Sequence, residues 1–234
     1  TFVKDPNNSF VTEDTSGYGA MDFGDFDGDG DIDLLLVGEH FTQRLAIYRN
    51  ENGTLQFYTD ISPGFWKGDT QWFDFNQDGT LDIVTMGEVN GAPTTAIYLN
   101  LPSGFEEQSD TGLTGFHHGG LAVGDYSNNG IADIAVTGFR RSEVFDFQED
   151  AKLYEGSITT YHQTSLLLEE GGKGDIAFGD LDADGDLDIF HMGDTFGILG
   201  LKTLGTHFTI YENLIADGGS VNLSPTAPAN FQVT

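Results

Sequence analysis

Cysteine is absent from the 234-residue sequence, and only nine side chains are Lys or Arg. The first absence excludes disulfide bonds and thiolate-ligated metal sites, so a metal site must use oxygen or nitrogen ligands. The second leaves most of the 38 Asp and Glu side chains unbalanced, with a formal net charge of −29. An acidic surface of this size repels phosphate groups. The composition therefore argues against nucleic-acid binding and against binding to anionic membranes.

The sequence also contains no apolar run of the roughly 18–20 residues that a membrane-spanning helix needs, so no membrane insertion is expected. The first ten residues, TFVKDPNNSF, do not combine a basic region with an apolar stretch, so they do not form a signal peptide. Hydrophobic residues make up 38% of the chain and aromatic residues 12%, which excludes an intrinsically disordered acidic chain. The 32 glycines favour a folded domain that is rich in tight turns.

One pattern recurs four times: an apolar strand, a nine-residue acidic loop, and a second apolar strand that ends in glycine. The copies read FGDFDGDGDIDLLLVG, FDFNQDGTLDIVTMG, VGDYSNNGIADIAVTG and FGDLDADGDLDIFHMG. Their loops, numbered one to four below, begin at Asp25, Asp74, Asp125 and Asp180. An apolar–tyrosine pair follows each copy: Ile47-Tyr48, Ile97-Tyr98, Leu153-Tyr154 and Ile210-Tyr211. The period is about 50 residues, and short strands with glycine turns at that period are typical of β-propeller blades.

We therefore predict an all-β fold, a β-propeller of four-stranded blades with the acidic loop between strands one and two. Helices are not expected, because no segment has the continuous apolar stripe of an amphipathic helix. The predicted propeller spans residues 1–215, and a linker rich in small residues and proline follows at 216–234. Its units are a part-blade at 1–15 and blades at about 16–66, 67–115, 116–171 and 172–215. Either the four blades close a ring alone, or they belong to a larger ring, which an extra strand at residues 1–6 favours.

The acidic loops have the composition of a calcium site. Oxygen ligands at alternate positions around a sharp glycine turn suit Ca²⁺, which takes six to eight oxygens, whereas Mg²⁺ prefers a smaller octahedral shell. Zinc is not expected, because the loops offer neither imidazole nor thiolate. The side chains at positions one, three, five and nine and the carbonyl at position seven can donate oxygens. The predicted metal ligands are Asp25, Asp27, Asp29, Asp31 and Asp33; Asp74, Asn76, Asp78, Thr80 and Asp82; Asp125, Ser127, Asn129, Ile131 and Asp133; and Asp180, Asp182, Asp184, Asp186 and Asp188.

An EF-hand shares the first half of this loop, but it needs a Glu at position twelve and flanking helices. The residues at position twelve are Leu36, Thr85, Val136 and His191. All four lie within apolar strands, so the EF-hand is rejected. Loop three has only two formal charges at its ligand positions. Because the number of charges tunes calcium affinity, we expect up to four Ca²⁺ ions, with the weakest at the loop that begins at Asp125.

The D-x-D-x-D-G-x-x-D loops that follow an F-G-D strand resemble the FG-GAP (VCBS-type) repeats of the integrin α-subunit propeller and of related bacterial proteins. The resemblance covers roughly residues 1–215, and loop three departs from it at Ser127 and Asn129. The tail, SPTAPANFQVT, is similar to the lead-in of a fibronectin type III domain. This order resembles large secreted surface proteins of Gram-negative bacteria, including type IX secretion cargo. The resemblance implies an extracellular or cell-surface module of a larger parent chain.

Two functions remain open, and we favour a non-catalytic, calcium-stabilised adhesion module that binds a protein or a carbohydrate. It would adjoin other domains of the same parent chain. Successive loops of antiparallel blades alternate between two faces, so the two–three loops lie opposite the calcium loops, and long loops on a rigid scaffold commonly carry recognition. The predicted recognition segments are Glu39–Arg44, Glu88–Pro93, Phe139–Asp150 and Asp194–Thr206. The side chains expected to contact a partner are His117 and His118, from a four–one loop, and Phe139, Arg140 and Arg141.

The second function is that of a polysaccharide lyase or another carbohydrate-active enzyme, because some calcium-containing propellers resemble such lyases. A lyase needs a base beside a cation that neutralises a uronate. The candidates on the recognition face are Tyr18, His117, His118, Lys173, Arg140 and Arg141. The sequence contains no G-x-S-x-G or H-E-x-x-H motif and no phosphate-binding glycine motif. The non-catalytic function is therefore preferred.

Overall fold

The chain folds into antiparallel β-sheets. A computed structural model describes residues 17–40, 42–141, 148–195 and 205–215. Strands account for 62% of the structure and the described residues form no helix, so the predicted all-β class is confirmed. Among those residues there is consequently no apolar helix of membrane-spanning length. The predicted part-blade at 1–15 and the predicted linker at 216–234 lie outside the described residues.

Fourteen strands follow one another along the described ranges. They are β1 (Gly17–Gly24), β2 (Asp33–His40), β3 (Thr42–Glu51), β4 (Thr54–Phe73), β5 (Asp82–Val89), β6 (Ala92–Leu101), β7 (Gly104–Glu107), β8 (Leu121–Gly124), β9 (Asp133–Arg140), β10 (Gln148–Gly156), β11 (Tyr161–Gln163), β12 (Gly172–Gly179), β13 (Asp188–Thr195) and β14 (Gly205–Tyr211).

The strands are arranged as four consecutive meanders. β1 to β7 form one sheet in chain order, β8 to β11 form a second and β12 to β14 a third. The seven-stranded sheet is two meanders that share the long strand β4, which pairs with β3 up to Phe65 and with β5 from Trp66 onward. We call the four meanders sheets 1 to 4. Sheet 1 ends at Phe65, sheet 2 runs from Trp66 to the end of β7, sheet 3 is β8–β11 and sheet 4 is β12–β14.

Sheets 1 to 4 pack face to face, and a separate cluster of buried side chains fills each of the three interfaces. Neighbouring residues of one strand face opposite interfaces: Ile83 belongs to the cluster between sheets 1 and 2, and Val84 to the cluster between sheets 2 and 3. Six consecutive residues of β5, and six of β9, are buried. Both faces of these strands are thus covered, as the continuous apolar runs predict.

The first strands of successive sheets lie side by side: β4 contacts β1 and β8, and β12 contacts β8. Side chains join these strands. The Trp72 N–H donates to Asp22 at 2.7 Å, and the Leu121 N–H donates to Asp69 at 3.0 Å. Burial raises the pKa of Asp69 to about 6, although two backbone N–H groups oppose that rise. The first strands therefore form an inner edge that is common to all four sheets.

Two of the connections expected to be long recognition loops are tight hairpins, so that prediction is wrong. In sheet 1, Glu39 pairs with Gln43, and β2 runs almost directly into β3. In sheet 2, Glu88 pairs with Pro93, and the turn is only Asn90-Gly91. The change from apolar to polar residues marks where these strands leave the core. Backbone pairing continues beyond that point, because an exposed hairpin can satisfy its N–H and C=O groups without apolar side chains.

The other two expected recognition segments also begin and end within strands. In sheet 3, Arg140 pairs with Gln148, so Phe139–Asp150 includes paired residues at both ends. In sheet 4, Thr195 pairs with Gly205. Residues 142–147 and 196–204, which form the middle of these segments, lie outside the described residues.

Candidate metal-binding loops and axial pocket

The four acidic loops connect the first and second strands of sheets 1 to 4, as predicted. All share a left-handed residue at position four and another at position six. The position-six residues, Gly30, Gly79, Gly130 and Gly185, have φ values of 92°, 88°, 83° and 97°. The position-four residues are Gly28, Gln77, Asn128 and Ala183. Left-handed φ is uncommon outside glycine, so its recurrence at position four shows that all four loops have the same backbone shape.

Side-chain oxygens at positions one and five hold this shape by accepting backbone N–H groups. In loop one, Asp25 accepts from Gly28 at 2.9 Å and from Gly30 at 3.0 Å, and Asp29 accepts from Asp31 at 2.9 Å. The position-one to position-six bond recurs at 3.0, 2.8 and 3.2 Å in loops two, three and four. The position-five to position-seven bond recurs at 2.8, 2.8 and 3.1 Å. Each loop is therefore held in shape by hydrogen bonds between its backbone N–H groups and its own side-chain oxygens.

Loops one and four bring three carboxylates together. Oxygens at positions one, three and five of each loop lie within 4.8 Å of one another. The two groups are Asp25, Asp27 and Asp29, and Asp180, Asp182 and Asp184. Three negative charges at this separation repel one another unless a cation lies between them. Each carboxylate oxygen has two lone pairs, so the backbone bonds do not exhaust the donor set. The all-oxygen set fits a hard cation, and both loops can hold a metal ion.

Loops two and three have the same backbone and less charge. In loop two, the Asn76 amide donates to Asp78 at 2.9 Å, and hydrogen bonds from Thr80 lower the pKa of Asp78. In loop three, the side chains at positions three and five are the neutral Ser127 and Asn129. These two loops place their predicted ligands on the same scaffold, but they present less negative charge to an ion.

The position-nine aspartates have a role that the spacing of the motif did not reveal. Asp82 is fully buried; one oxygen accepts the Asn100 N–H at 2.7 Å and the other the Phe75 N–H at 3.0 Å. The residue two positions after each tyrosine makes the same bond in the other sheets: Asn50 to Asp33, Gly156 to Asp133 and Asn213 to Asp188. Burial raises the pKa of Asp82 although both backbone bonds oppose the rise. Each ninth aspartate thus joins its loop to the third strand of its sheet.

A basic side chain that the motif search missed lies beside loop one. The Arg49 guanidinium pairs with Asp27, and its Nε lies 3.9 Å from Asp29 and 3.5 Å from Glu51. The equivalent residues after the other three tyrosines are Leu99, Glu155 and Glu212. Among the described residues, loop one is thus the loop with a cationic side chain at this position, where it would compete with a metal ion. The position directly after the tyrosine is the sequence signal that would have found it.

A comparison with protein families identifies the repeat. Residues 25–85 and 74–136 each match the family described as FG-GAP-like repeat. The chain contains FG-GAP-like repeats. The two matches overlap across loop two and reach the second strand of sheet 3, and loop four has the same backbone outside the matched stretch. FG-GAP repeats are typical of extracellular proteins and often bind calcium. A search among curated proteins found no match.

At the end opposite the loops, the four sheets line an open cavity of about 670 Å³, which we call the axial pocket. One glycine from each sheet lines it: Gly19, Gly68, Gly119 and Gly174. A Cβ atom on any of the four would lie only 1.8–2.0 Å from a carbonyl oxygen of the neighbouring strand. No other residue fits at this position of the first strand, so the glycine is required in all four sheets.

The residues before three of these glycines also line the axial pocket, and all three have basic side chains: Lys67, His118 and Lys173. Their φ values of 56°, 54° and 49° are left-handed. The His118 N–H donates to the Lys67 carbonyl at 2.6 Å, and the Lys173 N–H donates to the His118 carbonyl at 2.8 Å. The position is therefore structurally equivalent in sheets 2 to 4. The side chain of Tyr18, at this position in sheet 1, lies outside the described residues.

Three of the five predicted partner residues lie together near this pocket. The rings of His117 and His118 are 4.7 Å apart, and both lie about 6 Å from the Phe139 ring. Burial lowers the pKa of His117 to about 4, and it also lowers the pKa of His118, with Lys67 adding to that effect. Burial therefore favours the neutral form of both imidazoles. Only His118 lines the pocket itself.

The other two predicted partner residues are placed differently. Arg140 lies in β9 and pairs with Asp150 of β10, and Arg141 is exposed at the end of a described range. Sequence analysis missed Lys67, whose ammonium lies 3.4 Å from the Trp66 ring centroid and 3.3 Å from Glu88. Aligning the residue seven positions before each loop would have grouped Lys67 with His118 and Lys173.

Proposed function

We propose that the chain is part of a calcium-stabilised β-propeller that acts as a non-catalytic, extracellular recognition module. Calcium would bind the acidic loops, and a protein or carbohydrate would bind at the opposite end, around the axial pocket. Other domains of the same parent chain would be its covalent neighbours. The observation that carries the proposal is the recurrence of one loop backbone four times, with three carboxylates converging in loops one and four.

The strand arrangement supports the propeller. Four meanders stack face to face, and their first strands share an inner edge around the axial pocket. Each repeat places its metal loop after the first strand, so all loops emerge at one end of that edge. Successive blades of a propeller are expected to have this arrangement, which supports the proposal. The outer faces of sheets 1 and 4 retain exposed apolar side chains, which supports a larger ring.

Calcium is the cation that best suits the loops. The ligands are oxygens alone, and the glycine turn allows side chains and a carbonyl to approach from one loop. If bound, the ion would neutralise the carboxylates at positions one, three and five. The chain's own ninth aspartate would then couple each occupied loop to the third strand through its backbone bonds. The metal would thus stiffen the sheet edge without touching the axial pocket.

A melting experiment tests the calcium assignment. At a calcium concentration about one hundred times the dissociation constant, one site adds about 2.7 kcal/mol. For a chain of this size that raises Tm by about 5–10 °C. We expect that rise on adding calcium to chelator-treated protein, and a smaller one with magnesium. A variant with both Asp29→Ala and Asp184→Ala is the matched control. An identical Tm with calcium and with chelator would rule the calcium assignment out.

The basic side chains of the axial pocket support recognition at that end. The chain has only nine Lys and Arg residues, and two of them line this one cavity. We expect an array of acidic and neutral oligosaccharides and extracellular matrix proteins to give specific binding. Replacing Lys67 and Lys173 together by alanine should reduce it at least tenfold with calcium content unchanged. Arg44→Ala, which removes a cation paired with Asp60, is the control. Binding that survives the double substitution would move the recognition site elsewhere.

A polysaccharide lyase remains the second candidate, because the neutral His117 lies near the cation Lys67. A neutral imidazole can remove a proton, and a nearby ammonium can neutralise a uronate carboxylate. The test is incubation with acidic polysaccharides and measurement of the unsaturated product by its ultraviolet absorbance. Product formation that His117→Ala abolishes would establish the lyase over the binding module. Binding of the polysaccharide without product would support the module.

A further inference from the structure

Equivalent residues of the repeat form the contacts between neighbouring sheets. The residue at loop position two packs against the residue two positions before the next sheet's loop. Phe26 stacks on Trp72 with centroids 5.6 Å apart and planes 4° from parallel, and Tyr126 stacks on Phe178 at 6.1 Å and 9°. Each sheet thus has a forward side, with the position-two residue, and a backward side, with the residue before the loop.

The same holds for the strands. In the second strand, the residue two positions after the ninth aspartate faces forward: Leu35, Val84 and Ala135, each fully buried by the following sheet. Its equivalent in sheet 4 is Phe190, which pairs with Ile210. The next forward pair of sheet 4, Met192 and Phe208, is more than half exposed.

Sheet 1 has exposed apolar side chains on its backward side. Its backward side carries Met21, Phe23, Leu34 and Tyr48 on successive paired strands. Phe23 occupies the position of Trp72 and Phe178, yet it is 56% exposed. Leu181 occupies the position of Phe26 and Tyr126 in loop four, and it is 58% exposed. Phe23 and Leu181 thus occupy the two positions that meet in the Phe26–Trp72 and Tyr126–Phe178 contacts, but they lie in the first and the last of the four sheets and both are exposed.

We infer that the forward side of sheet 4 binds the backward side of sheet 1 of a second copy of this chain, so that the chain associates head to tail. The two sides are complementary because three interfaces within the chain already join a forward side to a backward side. The contact is heterologous, since different surfaces of the two copies meet. Repetition of the contact gives a closed ring of sheets or a longer series.

The measurement is the mass of the purified chain by light scattering, in calcium and over a range of concentrations. We expect species of at least twice the 25.4 kDa chain mass. Phe23→Asp and Leu181→Asp should each give monomers, because each removes one of the two complementary sides. Leu167→Asp is the control, since Leu167 is 85% exposed and belongs to neither side. Circular dichroism checks that each variant remains a folded β-protein.

Mixing the two variants makes the test specific for head-to-tail binding. Phe23→Asp retains the forward side of sheet 4, and Leu181→Asp retains the backward side of sheet 1, so the mixture should form a dimer and nothing larger. A wild-type chain that stays monomeric at high concentration overturns the inference. If Phe23→Asp or Leu181→Asp associates on its own, like sides meet instead, and the head-to-tail contact is likewise excluded.

Discussion

Asp33 and Asn50 are joined across sheet 1: an oxygen of the Asp33 carboxylate accepts the Asn50 N–H at 2.7 Å. The bond recurs in every sheet, at 2.7–2.8 Å, between the ninth loop residue and the residue two positions after the tyrosine. The second oxygen of each aspartate accepts an N–H from the start of its own loop. The ninth aspartate is therefore part of the sheet as well as of the acidic loop, and its loss should weaken the fold even in the absence of calcium.

Asp133→Ala tests this structural role in the loop that we expect to bind calcium most weakly. The change leaves the N–H groups of Gly156 and Ser127 without their acceptor, and should cost about 2–5 kcal/mol of unfolding free energy. Urea unfolding in chelator is the measurement. Asp125→Ala is the control, because the N–H groups that Asp125 accepts are exposed and water can replace it, at a cost below about 1 kcal/mol. Equal losses from the two substitutions would contradict the structural role.

The order of calcium affinities follows from the charges in each loop. Asp29→Ala and Asp184→Ala should each abolish one bound ion, because each removes a carboxylate from a converging group of three. Asn129→Ala should change the number of bound ions little. Calorimetric titration of the three variants measures this. A full-strength site that disappears with Asn129 would show that charge count does not set the affinity of these loops.

Arg49→Gln should strengthen calcium binding at loop one. The guanidinium pairs with Asp27, so a metal ion has to displace or tolerate a positive charge. An ion pair that is partly exposed to solvent contributes little, so we expect the affinity to rise by only about two- to fivefold. The titration is clearest in an Asp184→Ala background, where loop four is silent. Arg44→Gln should leave affinity unchanged, because Arg44 pairs with Asp60 away from the loops. A weaker site in Arg49→Gln would mean that the arginine organises the loop.

His191 should make the fold less stable in acid. It is fully buried between sheets 3 and 4, and burial, with His207 adding to it, lowers its pKa to about 4. The unfolded chain takes up the proton near the ordinary value of about 6.5, so this contribution is complete above that pH. It is lost as the pH falls towards 4, up to about 3 kcal/mol.

His191→Leu removes the titrating group and places there the residue type found at the same position, Leu36, in sheet 1. Urea unfolding in chelator at about pH 7 and about pH 4.5 should show a smaller loss of stability for this variant than for the wild type. The exposed His162, changed to Leu, is the matched control. The same pH dependence in wild type and His191→Leu would contradict the assignment.

Much of the fold could be predicted because the repeat is defined by residues that lie close together in the sequence. Aspartates alternate around Gly30 and Gly185, and apolar runs follow them. Both features can be read from a few neighbouring residues. The hairpin at Asn90-Gly91 was missed because its strands leave the core before they stop pairing, so hydrophobicity no longer marks the strand. The role of the ninth aspartate was missed for another reason. Its partner is about 20 residues away along the chain and contributes a backbone N–H, which no side-chain pattern reveals.

The same distinction between neighbours in sequence and neighbours in space applies to the candidate sites. Loop ligands follow one another within nine residues, so the motif alone predicts that they converge. Lys67, His118 and Lys173 come from three different sheets and meet only through the packing of first strands. Arg49 approaches loop one from the third strand. Such encounters depend on tertiary structure, and a single sequence shows them only when its repeats are aligned residue by residue.

At the inner edge, the close approach of two strands requires the glycine that follows Lys67, His118 and Lys173, whereas the residue before the glycine supplies the side chain that lines the axial pocket. A Cβ atom on the glycine would meet the neighbouring carbonyl oxygen, whereas the residue before it already carries a side chain, in a left-handed conformation. Substitution there changes the chemistry displayed around the axis and leaves the approach of the strands as it is. At each of these three steps of the inner edge, a glycine that the backbone requires follows a residue whose side chain sets the chemistry of the axial pocket.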